Sequence, residues 1–208
     1  MTLEVFSAYV VATLILLAVP GPTIMLVISY ALRHGRKTAA ACVLGVGVGD
    51  ATAATASLLG LGAILATSAT LFSALKWIGA AYLFYLGLKM WLSKPETLEE
   101  QDVQEINSRK IFTHAFIVTA LNPKGIVFFM AFLPHFIATD AAIAPQLVLL
   151  GTTFVVLGVL NAAIYALIAA EIGSRLKSPS TMKVVNRLGG GFLMFAAAMT
   201  AGLRRATT

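Results

Sequence analysis

The chain has 208 residues, 59% of them hydrophobic and 12% charged, with a net charge of +6 at pH 7 and a mean hydropathy of +0.88. A soluble domain carries about twice that charged fraction, so a soluble fold is excluded and an integral membrane protein is indicated. The one cysteine, Cys42, excludes an internal disulfide, a CxxC redox pair and a thiolate metal cluster.

The charges locate the spans. Residues 5–32 carry none, 38–75 carry only Asp50, 111–138 only Lys124, and 141–170 none; about 18 apolar residues suffice to cross a bilayer. The first run follows Met1-Thr2-Leu3-Glu4, which lacks the basic flank of a signal peptide, and it exceeds a signal core in length. It reads as a retained helix. Turn and charge clusters then divide the chain into six predicted helices near 5–32, 38–60, 69–92, 111–138, 144–172 and 186–203. The second and third are parted by Gly60, Gly62 and Thr67-Ser68-Ala69-Thr70, the fourth and fifth by Thr139-Asp140 and Pro145. Segment 94–110 mixes charges without an apolar pattern and reads as a solvated linker. Of 15 Lys and Arg, 11 fall on the first, third and fifth connections, three on the other side and Lys124 within a span. The positive-inside rule therefore places both termini outside, and it explains the basic charge without nucleic acid. Arg204 and Arg205 run against the bias, so the last helix end is the weakest part of this topology.

Two helices are interrupted by proline, the first at Pro20-Gly21-Pro22 and the fourth at Asn122-Pro123-Lys124. Proline removes a helical donor and clashes with the preceding turn. A membrane accepts the freed backbone only where protein or a watery cavity satisfies it. Matching breaks in two halves point to the substrate site of a transporter. The halves also align in order: Ala18-Val19-Pro20-Gly21-Pro22 with Ala120-Leu121-Asn122-Pro123-Lys124, Gly47-Val48-Gly49-Asp50-Ala51 with Gly158-Val159-Leu160-Asn161-Ala162, and Ile78–Leu83 with Leu188–Leu193. Three spans per half insert oppositely, so the expected architecture is all-α, with two inverted three-helix repeats. Residues 1–208 form one transport domain: repeat one 1–93, linker 94–110, repeat two 111–208.

Asp50 is the only carboxylate at depth, where a charge costs several kcal/mol and normally serves a function. Its helical neighbours Val46, Gly47, Ala53, Ala54 and Ser57 leave room beside it, and Gly45 with Gly49 suits tight helix contact. It reads as a proton-coupling or amine-binding group, or as an ion-pair partner of Lys124. Lys124 could hold a carboxylate, neutralise Asp50 or snorkel. The half-helix after Pro22 would offer free N–H groups to an anion, with Thr23 as its cap. Asn122 would bind backbone or substrate, and Asn161 stands at the Asp50 equivalent without a titratable proton. His135, His34, His114, Trp77, Tyr82, Tyr85 and Trp91 read first as structural or interfacial residues.

Taken together, Pro20-Gly21-Pro22, the Gly-Val-Gly-Asp ending at Asp50, Lys76-Trp77-Ile78-Gly79-Ala80-Ala81-Tyr82-Leu83, Leu121-Asn122-Pro123-Lys124-Gly125 and Phe132-Leu133-Pro134 resemble the LysE/RhtB family of amino-acid exporters. The likeness runs in order through nearly the whole chain; His135 stands where the family usually has Gln. It implies efflux of amino acids or close derivatives across the bacterial inner membrane by proton antiport. A neutral or homoserine/threonine-like substrate is preferred, since no acidic cluster suggests a cationic one.

The expectation is thus a non-enzymatic, alternating-access exporter without cofactor or metal, with an amino acid, a proton and the lipid bilayer as partners. Homo-oligomerisation is left open. Pro20, Gly21, Pro22, Thr23, Asn122 and Pro123 line the gate and hold the substrate carboxylate, Asp50 takes the amine or proton, Lys124 is its electrostatic partner, and Asn161 is its counterpart. The alternative, a cation or metal-ion exporter on a related fold, would call for His, Cys or carboxylate clusters.

Overall fold

A computed structural model describes residues 1–67, 69–92, 107–138 and 140–176, together with helical residues 183, 184, 187, 190, 191, 194, 195, 197 and 198. The greater part of the linker and both ends of the sixth predicted helix, with Arg204 and Arg205, lie outside the described residues. The described chain is all helix: α1 (Leu3–Ala18), α2 (Pro22–Thr67), α3 (Ala69–Leu92), α4 (Ser108–Ala120), α5 (Pro123–Val127), a π turn (Phe128–Phe132), a 3₁₀ turn (Leu133–Phe136) and α6 (Ile143–Leu176). Thr2 caps α1 by accepting from Val5 N at 3.3 Å, and Asn107 caps α4 by accepting from Arg109 N at 3.1 Å. Both satisfy donors that a helix start leaves open.

Among the described residues, three stretches are long and apolar enough to cross a membrane: 39–61, 108–136 and 143–169. A fourth is the pair α1 and 22–31, bent by 57° at the first proline break. The chain is a multi-pass membrane protein.

The expected connection at 33–37 joins two helical arms, 22–31 and 39–61, but its backbone is helical and not an irregular loop, and helical backbone also continues through Gly60 and Gly62 to Thr67. No proline follows Pro22 in that stretch. A straight helix would separate Thr23 from Asp50 by about 40 Å, yet both line one cavity. Residues 22–67 therefore bend back on themselves, and two arms returning to one level put the bend about midway between those residues, near Arg36. Ile24, Val27, Ile28 and Ala31 on one arm pack in one cluster with Ala39, Cys42 and Val46 on the other.

α2 makes its largest interfaces with α4 and α6. Gly45 and Gly49 allow the first of these. A Cβ on Gly45 would meet the Phe112 carbonyl, and one on Gly49 would lie 2.7 Å from Thr119 Cβ and 2.9 Å from Phe116 O. Gly87 of α3 likewise meets Gly190 backbone to backbone.

These contacts predict opposite signs for two glycine substitutions. Gly49→Ala pushes against α4 and should cost about 1–3 kcal/mol. Gly60→Ala, with nothing within 4 Å of its Cβ, should gain up to about 1 kcal/mol in helix propensity. Thermal unfolding of the detergent-solubilised variants reads both.

Candidate functional site

α1 stops because proline follows. Val19 precedes Pro20 and is driven to extended backbone, φ −78° and ψ 110°. Pro22 then opens α2 at its first position, where the missing N–H costs nothing. Leu16 O accepts the Val19 N–H at 3.3 Å, and the interruption leaves the carbonyls after it without helical partners, in a setting that supplies no lipid donor.

The second half of the chain supplies the donors. Lys124 Nζ donates to Leu16 O at 2.8 Å and to Val19 O at 2.7 Å. Asn161 Nδ2 donates to Leu17 O at 3.0 Å, and the Tyr165 hydroxyl to Ala18 O at 2.7 Å. Four consecutive carbonyls are thus met by three side chains from α5 and α6.

The second break is resolved differently. Asn122 takes the cap position of α5, φ −68° and ψ 110°, and its Oδ1 accepts from Lys124 N at 3.1 Å. Its Nδ2 donates to Thr23 Oγ1 at 3.0 Å, and Thr119 Oγ1 donates to the same oxygen at 3.3 Å. Asn122 thereby satisfies backbone at its own break and reaches the other one. Thr23 is not the cap expected of it: it lies inside the first turn of α2, and its hydroxyl ties the two breaks together. Pro22 and Pro123 are exposed helix starters, while Pro20 is buried.

A cavity of about 40 Å³ lies between the breaks, room for about three water molecules. Its polar lining is Asp50, Lys124, Thr23, Thr119, Asn122 and Asn161, and Gly21, Gly125 and Gly158 open its walls. Asp50 leans on α6, where a Cβ at Gly158 would fall 2.5 Å from its Oδ2. The opposite charges of Asp50 and Lys124 act on each other across this space. Among the described residues, however, no donor reaches the carboxylate within hydrogen-bond range, and the Lys124 ammonium is spent on backbone. The direct ion pair weighed from the sequence is replaced by a shared cavity.

Two apolar clusters adjoin the cavity through residues of its lining. Leu16 and Phe154 join the lining to an aromatic cluster of Tyr9, Phe128, Phe129 and Phe132, with Phe136 packed against it; Phe129 and Phe154 stand 4.6 Å apart by ring centroid. Ile24 and Val46 join it to a cluster of small residues that includes Ala31, Ala39, Ala115, Ala162, Ala166 and Ala169. His135 Nδ1 lies 3.1 Å from Phe132 O, and His114 Nδ1 lies 2.8 Å from the Tyr30 hydroxyl, both away from the cavity lining. Trp77, Tyr85 and Trp91 are exposed, as an interfacial role requires.

Tyr165, Thr119 and Gly158 are site residues that sequence reading missed. Tyr165 lies four residues beyond Asn161 and Gly158 three before it, so all three share one face of α6; that spacing was the available signal. Tyr165→Phe removes the donor to Ala18 O and should cost about 1–3 kcal/mol. Tyr85→Phe, at an exposed ring, should leave the thermal midpoint unchanged.

Residues 14–202 match the family model of the LysE type translocator. The homoserine/homoserine lactone efflux protein of Salmonella typhi is 32% identical over 207 residues, 99% of this chain and 100% of that protein. An uncharacterized membrane protein of Vibrio cholerae is 31% identical over 194 residues, 93% of this chain and 95% of its own. The leucine efflux protein of an Enterobacter species is 28% identical over 192 residues, 90% and 89% of the two chains. No solved structure matches significantly. With the family model spanning nearly its whole length, the chain belongs to the LysE type translocators.

Proposed function

We propose that this protein exports neutral amino acids or their close derivatives from the bacterial cytoplasm, by proton antiport and alternating access between two inverted halves. The observation that carries the reading is the cavity between the breaks, where one carboxylate, one ammonium, amide and hydroxyl groups and a helix carbonyl end converge. Relatives named for efflux of homoserine, homoserine lactone and leucine support the substrate class.

Each group has an assigned part. Asp50 binds the substrate amine or the exchanged proton, and either one neutralises a charge that is costly at depth. The start of α2 at Gly21–Thr23 and the Asn122 amide receive the substrate carboxylate, favoured by the positive end of a helix dipole. Asn161 keeps the α1 end in place and carries no proton, so one acid serves each cycle. A space for about three waters is smaller than the roughly eight non-hydrogen atoms of homoserine, so loading must widen it. The alanine-rich cluster parts with less loss of buried area than the aromatic one, which makes it the readier path. The charge bias puts that cluster, next to 33–37, on the cytoplasmic side, where an exporter loads.

Export into or out of proteoliposomes under an imposed pH gradient tests the reading. Asp50→Asn keeps the shape and removes the titrating group, and it should lower gradient-driven transport of leucine or homoserine by roughly tenfold or more, the equivalent of about 1.4 kcal/mol. Undiminished proton-coupled transport by that variant would remove Asp50 from the mechanism.

A further inference from the structure

The Lys124 ammonium sits against the carbonyl end of α1. Two of its three N–H donors end on Leu16 O and Val19 O at 2.8 and 2.7 Å. These acceptors are the negative end of the α1 dipole. Asp50 supplies a countercharge from across the same cavity. Two carbonyls and a carboxylate around one small space are the recognition elements of a protonated primary amine, and an α-amino acid carries that group.

We propose that the α1 carbonyl end and Asp50 form a primary-ammonium subsite, which Lys124 occupies with its own side chain until a substrate amine displaces it. The proposal rests on the reading of the cavity as the transport site. Its particular support is the choice of donor. Leu17 O and Ala18 O, in the same row, are satisfied by the neutral groups of Asn161 and Tyr165. A neutral donor therefore suffices to cap this helix end, and a charge at the same depth costs more to bury. A lysine in that position adds what an amide cannot: it can be exchanged for another ammonium without changing the charge of the cavity. Its stem is flexible, and it passes Gly21 with Cδ and Nζ 3.7 and 3.8 Å from where a Cβ would stand. The displaced ammonium is then free to meet the substrate carboxylate, which arrives together with the amine that expels it. Lys124 in this account is a tethered competitor that sets how tightly a substrate must bind before it loads.

The test uses propylammonium chloride as a ligand with an amine and no carboxylate. Thermal midpoints are measured for purified wild type and Lys124→Ala, with propan-1-ol and tetramethylammonium chloride as controls. In Lys124→Ala the empty subsite should take up propylammonium, giving a saturable rise in midpoint. Wild type, whose subsite holds a tethered ammonium at high effective concentration, should show no such rise, and neither control should act on either protein. If Lys124→Ala does not fold, Lys124→Met, whose stem follows the same path and carries no N–H donor, takes its place with the same expectation. Equal responses of wild type and variant, or none in the variant that folds, overturn the proposal. Leucine and homoserine export by wild type is measured alongside. Intact export without a propylammonium response removes the subsite alone, whereas a response in a protein that exports no amino acid removes the exporter reading and leaves the subsite standing.

Discussion

A broken helix inside a bilayer needs hydrogen-bond donors for the carbonyls it frees, and lipid has none to give. In this protein the break after Ala18 frees the carbonyls of Leu17, Ala18 and Val19, while Leu16 O keeps the Val19 N–H, and Lys124, Asn161 and Tyr165 donate to all four at 2.7–3.0 Å. Those three residues come from the other half of the chain, so the interruption in α1 is stable only when α5 and α6 are docked on it. The demand of one helix end thus holds the halves together. It also sets where their polar side chains accumulate, which is where the cavity lies.

The two breaks are unlike in a way that follows from their residues. Asn122 is a strong cap and closes its own helix start, leaving an amide to reach Thr23. Pro20-Gly21-Pro22 has no capping side chain for the carbonyls before it and must borrow. The borrowed group includes Lys124, whose ammonium reaches a carbonyl end beside the cavity that Asp50 also lines. An aromatic cluster and an alanine-rich one both adjoin the small space that Asp50 and Lys124 line.

Much of this was legible from local chemistry. Proline dictates where α1 and α4 stop regardless of the surroundings, and both breaks lie within two residues of their prolines. The small-residue face around Asp50 announced close packing, and Gly45 and Gly49 do lie against α4. Asp50 and Lys124 each lie within a long apolar stretch, and both line the cavity. The reversal between 22–31 and 39–61 was legible from the polar stretch Arg33-His34-Gly35-Arg36-Lys37, whereas the helical backbone through it was not.

The sequence by itself determined the membrane class, the two interruptions and the identity of the buried charges, because each depends on one residue's chemistry in a bilayer. Only the tertiary structure decided that the Lys124 ammonium goes to Leu16 O and Val19 O and not to Asp50, that Thr23 bridges the breaks and does not cap one, and that Tyr165 belongs to the site. Those outcomes depend on which acceptors lie within about 3 Å of a donor, and the meeting points of residues about 100 or more positions apart are set by how whole helices pack.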